Sequence, residues 1–319
     1  MHLLTDAPDD VQALAPDGVA LERTRLRDLP PSERRSWSAL APESEPWLGE
    51  LPTRRFGLSG PLVVVRHATR SQLDVLDELS AADAGVTGGT TCVALAGSRF
   101  RGQRGRTWST SRGNLHASVH LAFDVDAAAS QAALAVLPAV AAAEAVEEVS
   151  EGRVRPGLKW VNDLLLDERK VGGVLTSTQV QSGRIRDARV GIGVNLTYAP
   201  RIVATRGALE ADRLADADGV FDAPDAWALL LPALTRRLAH GREAIAGGNG
   251  ARLVDRYRDR AAFLGRHVKI WPVDDDGGGR VREATPIAQG RVLELRPDLS
   301  LILEGAAQPI RNGRMTIDP

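Results

Sequence analysis

The first sixty residues carry no sustained apolar period, because Pro30, Pro31, Pro42, Pro46 and Pro52 fall in and after an arginine-rich run from Arg23 to Arg35. Prolines at such intervals break helices, so residues 1–60 read as an extension that wraps the next domain or stays partly loose. A helix-turn-helix, which needs two uninterrupted apolar stripes, is not expected there. From Pro61 the texture changes. "LVVV" predicts a strand, and "TRSQLDVLDELSAA" places Leu73, Leu76 and Leu79 on one helical stripe. "TCVALA" predicts another strand. "LHASVHLAF" alternates, with Leu115, Ala117, Val119 and Leu121 on one face and His116, Ser118 and His120 on the other. A helix-rich segment from Ala127 to Val149 is expected to divide or kink at Pro138. The strands "VGGVLTSTQV" and "ARVGIGVNL" on either side of "QSGRIRD" predict a hairpin.

After Pro200 the chain is irregular, with a short helical stretch over 207–216 and helices over 225–239 and 252–264, the last closed by Gly265. From His267 only short strands are expected, separated by turns such as Asp274 to Gly279, which predicts a small all-β barrel. Consecutive strands with separate helices define an α+β fold, not a regular βαβ series. The expected division is an extension over 1–60, a main domain over 61–264 and a barrel over 265–319.

Composition narrows the function. A chain of 319 residues, 43% hydrophobic and 25% charged, supports a full-sized core. Its net charge of -1 leaves no whole-chain positive field to gather nucleic acid or anionic lipid. Aromatic residues at 4% argue against a stacking surface for single strands. The apolar stretch Ala132 to Ala143 is shorter than the roughly 20 residues of a bilayer span, so no membrane partner is expected. One cysteine, Cys92, and a start without a secretory pattern point to the cytoplasm. The six histidines lack the spacing of a zinc site. Among 40 basic side chains only three are lysines, and Lys159 and Lys170 stand close together.

Three segments carry candidate chemistry. In "FRGQRGRTW", Arg101, Arg104 and Arg106 alternate with Gly102 and Gly105 before Trp108; glycines admit close backbone approach and guanidinium forks pair with phosphate or carboxylate oxygens. The indole could stack on a base or belong to the core. In "KWVNDLLLDERKVGG", Asp163 beside Asn162 suits a carboxylate on Mg²⁺ whose other ligands are phosphates, flanked by Lys159 and Lys170. In "GIGVN", Gly191 to Asn195, small residues alternate along a strand that ends in an amide able to bond a ribose or a base.

In order and spacing, "FRGQRGRTW", "SRGNLHAS", "KWVNDLLLDERKVGGVL" and "VGIGVNL" resemble the biotin–protein ligase family of the wider biotin/lipoate ligase superfamily. The resemblance covers about Val63 to Pro200, and "PIAQGRVLEL" is similar to the small domain that ends this family. It is closest to the monofunctional type, since nothing matches a DNA-binding repressor domain. It implies a class II synthetase-like mixed sheet with flanking helices and an SH3-like C-terminal barrel. It also implies ATP-dependent conversion of biotin to biotinyl-5'-AMP, then transfer to a lysine of a biotin carboxyl carrier protein or domain, with Mg²⁺ as cofactor; a homodimer is allowed.

By the same resemblance, Lys170, Arg101, Arg104 and Arg106 would be catalytic and Asp163 would hold the metal. Trp108, Lys159, Asn162, Gly173, Gly191 and Asn195 would bind the nucleotide, and Thr69, Arg70, Gly97, Gln103 and Leu175 would line the acid pocket. The chain departs from the family pattern at Thr69 to Ser71, where Ser-Thr-Asn is usual, and at Gly97, Phe100, Gln103 and Val161. Two other readings stay open here: a ligase for lipoate, octanoate or another carboxylic acid, and a noncatalytic ligase-like binding protein.

Overall fold

The computed structural model describes residues 1–42, 44–82, 86–201, 209–272 and 285–318. The first sixty residues are not loose; their strands join the main sheet. They supply strands β1 (His2–Thr5), β2 (Leu21–Arg23) and β3 (Trp47–Glu50), with helix α1 (Pro31–Leu40) before β3 and the single turn α2 (Thr53–Phe56) after it. Next come β4 (Leu62–Val65), α3 (Gln72–Ala81), β5 (Thr91–Ala94), the two-residue strands β6 (Phe100–Arg101) and β7 (Thr107–Trp108), the long β8 (Leu115–Asp126) and α4 (Ala127–Val149). Strands β9 (Gly157–Lys159), β10 (Asp163–Leu166), β11 (Arg169–Gln181) and β12 (Arg184–Val194) precede helices α5 (Ala226–Ala246) and α6 (Ala251–Arg258). The chain ends in β13 (His267–Trp271), β14 (Ala288–Leu295), β15 (Leu301–Leu303) and β16 (Arg314–Ile317).

Ten strands form one mixed sheet in the order β2-β3-β1-β4-β5-β8-β12-β11-β10-β9, parallel at β1–β4 and β4–β5 and antiparallel elsewhere. The unbroken apolar run of β4 follows from burial on both faces. Leu62 and Val64 join the core with α4 and α5, while Val63 and Val65 pack with Trp37 of α1 and with Val75 and Leu76 of α3.

Helix α4 continues through Pro138. The missing N–H would strand the Leu134 carbonyl; the Thr176 hydroxyl on β11 donates to that oxygen at 3.4 Å instead. By length and composition α4 could cross a bilayer, but it is mostly buried, packed against α5, α6 and the sheet. Gly241 of α5 permits the contact, since a Cβ there would lie 2.2 Å from the Leu137 side chain. Helix α6 stops at Arg258, short of the expected 264, because the following residues pair with the edge strand: Leu158 N–H donates to the Arg260 carbonyl and Ala262 N–H to the Leu158 carbonyl. This covers an otherwise open sheet edge.

The β11–β12 hairpin is longer and tighter than expected. Only Ser182 (φ 51°) and Gly183 (φ 74°) turn the chain, both left-handed, as a two-residue turn that matches strand twist requires. The helical stretch expected over 207–216 lies partly outside the described residues; within them, residues 214–216 form one 3₁₀ turn. The turn Asp274 to Gly279 lies outside the described residues.

The C-terminal strands correct the expected SH3-like barrel. They form an open four-stranded antiparallel sheet, β15-β14-β13-β16, with no closing ladder among the described residues. Closure is not needed to bury the apolar face. Val268, Ile270, Val292, Leu295 and Met315 belong to the same core as the main sheet, and Leu293 and Arg291 point to solvent. The Trp160 indole N–H donates to the Leu299 carbonyl at 2.9 Å, fastening this sheet to the main one.

Candidate functional site

Strand register collects the site. Gly193 of β12 lies opposite His116 of β8 on one side and Gly173 of β11 on the other; Gly173 lies opposite Asp163 of β10, and Asp163 opposite Lys159 of β9. Residues opposite one another in a sheet project from the same face, so five strands present one transverse row. Gly191, opposite Leu175, stands one step along the same face, against Leu73 of α3.

At one end of the row the Asp163 carboxylate accepts from Lys159 Nζ at 3.1 Å and from Lys170 Nζ at 2.5 Å. Burial works against the charged carboxylate, but the two ammonium groups outweigh it and hold the Asp163 pKa down to about 2. Burial also lowers the Lys159 pKa against the pull of Asp163, and the charges of Lys170 and Arg106 add to that lowering. Tyr257 of α6 lies fully buried within the field of Asp163, its hydroxyl without a partner.

The two central glycines make room for two side chains. The Trp108 indole lies on Gly193, where a Cβ would come within 2.3 Å of the ring, and a Cβ on Gly173 would meet Trp108 at 3.3 Å and Lys170 Nζ at 3.2 Å. The Lys170 ammonium stands 5.5 Å from the indole centroid, a cation–π distance. Trp108 Nε1 donates to His116 Nδ1 at 3.3 Å. Asn195, almost fully buried, donates to the Asp212 carbonyl at 3.0 Å and leaves Oδ1 without a partner among the described residues, a ready acceptor for a ligand N–H or O–H.

Other expected residues have different partners. The arginine loop is not wholly irregular, since β6 and β7 pair as a small hairpin, Phe100 opposite Trp108. Arg101 is held by Asp74 of α3, its Nε 2.8 Å from Oδ2. Arg106 donates to the Gln103 carbonyl at 3.3 Å, and the Arg104 side chain lies outside the described residues. Arg70 turns along α3 to pair with Glu78, and the Thr69 carbonyl accepts from Arg99 at 3.1 Å. Gly97 fits only a glycine, because a Cβ would lie 2.5 Å from the Phe100 ring. Asn162 donates to the Val174 carbonyl at 3.2 Å, which seats the turn before β10.

The expected magnesium ligand is spoken for. Both oxygens of Asp163 are taken by lysines, and no group of three His, Cys, Asp or Glu side chains gathers among the described residues. This donor set does not fit a protein-held divalent cation. A cavity of about 490 Å³, lined by Ser80, His120, Gln179 and Asp187 among others, shares no residue with the row.

Sequence reasoning passed over Asp74, Tyr257 and Asn114. The Asn114 side-chain oxygen accepts the backbone N–H groups of Leu196, Thr197 and Tyr198 at 2.9 to 3.1 Å, anchoring the chain just beyond Asn195. Its place in "RGNL" was the available signal.

The sheet and its flanking helices share the fold of biotin protein ligases of known structure. The Aquifex aeolicus biotin protein ligase in complex with biotin and ATP superposes with a TM-score of 0.58 at 21% identity, over 81% of this chain and 98% of that one. A biotin protein ligase-like protein of unknown function from Silicibacter gives 0.54 at 18% identity, over 82% and 94%. Residues 69–195 match the Biotin/lipoate A/B protein ligase family model. Among sequence relatives, the bifunctional ligase/repressor BirA of Bacillus subtilis is 33% identical over 113 residues, 35% of this chain and 34% of that protein. The biotin–[acetyl-CoA-carboxylase] ligase of Paracoccus denitrificans is 34% identical over 116 residues, 36% and 48%. The chain thus aligns with a third to a half of the length of these relatives.

Proposed function

We propose that the protein is a biotin–protein ligase. A biotin carboxylate oxygen attacks the α-phosphorus of ATP, the bond to the bridging oxygen breaks and pyrophosphate leaves. A lysine amine of a carrier domain then attacks the acyl carbon of the mixed anhydride, forming the amide and releasing AMP. The observation that carries this reading is the transverse row, a ligand floor with two lysines at one end and an indole over glycines at the centre.

Lys170, partly exposed and oriented by Asp163, meets the negative charge where carboxylate and α-phosphate approach. Lys159, fully enclosed, holds Asp163 from the other side. The indole of Trp108 and the open oxygen of Asn195 suit the adenosine, and Arg101, Arg104 and Arg106 suit the phosphates. Magnesium enters with ATP as part of the substrate. The lone Cys92 thiol, pushed up to about 12 by burial, takes no part and suits a reducing cytoplasm.

The test is ATP–pyrophosphate exchange dependent on added acid. Biotin should support it, and Lys170→Ala should lower it roughly ten- to a hundredfold, the worth of one charge-assisted contact. Exchange with lipoate or octanoate but not biotin would change the acid; no exchange with any of the three would sink the reading.

A further inference from the structure

We infer that His116 is a positioning residue: its ring holds the Trp108 indole against Gly193 and so docks the β6–β7 hairpin, with its arginines, on the sheet. The inference deepens the proposed function, in which that indole faces the adenosine.

His116 is almost fully buried on β8, beside Gly193 in the transverse row. Trp108 Nε1 has only a hydrogen to offer, and it meets His116 Nδ1 at 3.3 Å. That nitrogen must therefore present a lone pair. The hydrogen of the neutral ring then sits on Nε2 and is donated to the Ser111 carbonyl at 3.3 Å; in this tautomer the Ser111 N–H, 3.2 Å from the same nitrogen, is a contact and not a hydrogen bond. Ser111 closes the segment that leads out of the hairpin, so the imidazole bridges both its ends. Phe100, opposite Trp108 in the hairpin, sets its ring edge-on to His116 at 6.0 Å between centroids. One imidazole thus touches both aromatic residues of the hairpin and the backbone beyond it. A phenylalanine at 116 would keep the edge-on packing yet leave the indole N–H without an acceptor. Burial lowers the His116 pKa to about 4, against the pull of the Ser111 carbonyl, so the ring keeps its lone pair at neutral pH.

The experiment compares amide hydrogen exchange of residues 100–108 with steady-state kinetics in His116→Phe and His116→Asn, since Asn Oδ1 can take the place of Nδ1. Loss of one neutral hydrogen bond should raise exchange about fivefold and KM for ATP by a similar factor, with kcat and KM for the acid little changed. The Asn variant should restore both quantities, and His116→Phe should add nothing in a Trp108→Phe background. Unchanged exchange in folded His116→Phe, or no restoration by Asn, overturns the inference. Should His116→Phe not fold, Trp108→Phe alone decides: exchange rises if this bond holds the hairpin and stays level if it does not. Absence of any acid-dependent ATP chemistry would refute the proposed function while leaving the exchange comparison to decide on His116.

Discussion

At the scale of single residues, the site is built from groups whose charge is set by enclosure. His116 gives a measurable consequence. Its folded pKa of about 4 lies below an ordinary 6.5, so between those values the unfolded chain takes up a proton that the folded chain refuses. Stability present above pH 6.5 is therefore lost progressively as pH falls toward 4, by an amount on the order of 3 kcal/mol. The melting temperature of wild type should fall relative to that of His116→Phe across that window; parallel curves would show that the imidazole titrates as in water. The grouping of Lys159, Asp163 and Lys170 was legible in the sequence because lysines are so scarce. Their mutual arrangement was not. Spacings of four and seven residues suggested an acidic turn open to a metal, and only the antiparallel register of β9, β10 and β11 turns the carboxylate between the two ammonium groups.

Among elements, the β11–β12 hairpin does most to assemble the site, since it sets Gly173 beside Gly193. Its register depends on a turn in which Gly183 has φ 74°. Gly183→Ala should cost about 1 kcal/mol, read as a lower urea midpoint at unchanged m value. A slip of one residue would turn the glycines to the opposite face and leave the indole no seat. The hairpin was readable because two apolar runs flank a Ser-Gly pair. The continuity of α4 was not readable: Pro138 predicts a break, and the hydroxyl that relieves it comes from Thr176, 42 positions beyond the Leu134 carbonyl it meets.

Across the whole molecule, the α+β class and the β11–β12 pairing followed from local pattern, whereas the order of the sheet and the ends of the chain did not. Strands β1, β2 and β3 are three or four residues each and exist because β4 offers an edge to pair with; no local period announces them. The alternation in the C-terminal strands was visible, but whether they close on themselves depends on what their apolar face meets, and it meets the main core. Deleting residues 1–56 should therefore do more than trim an appendage. It strips β4 of its neighbour and removes Leu3 and Leu14 from the core, so the truncated chain should aggregate or lose near-ultraviolet circular dichroism. A soluble, cooperatively melting product would show the segment to be dispensable.

The lysine distribution has a chemical consequence of another kind. Under the proposed function the intermediate is a mixed acyl–phosphate anhydride, which acylates amines indiscriminately once it escapes, and the nearest amines are then those of the chain itself. Here Lys159 is enclosed, Lys170 is bound to Asp163, and Lys269, the most exposed of the three side chains at 38%, is paired with Asp318 at the end of the C-terminal sheet. A surface dressed in arginine offers such a reagent almost nothing to attack. Under that function, mass spectrometry after prolonged turnover without a carrier should find side-chain acylation confined to Lys269.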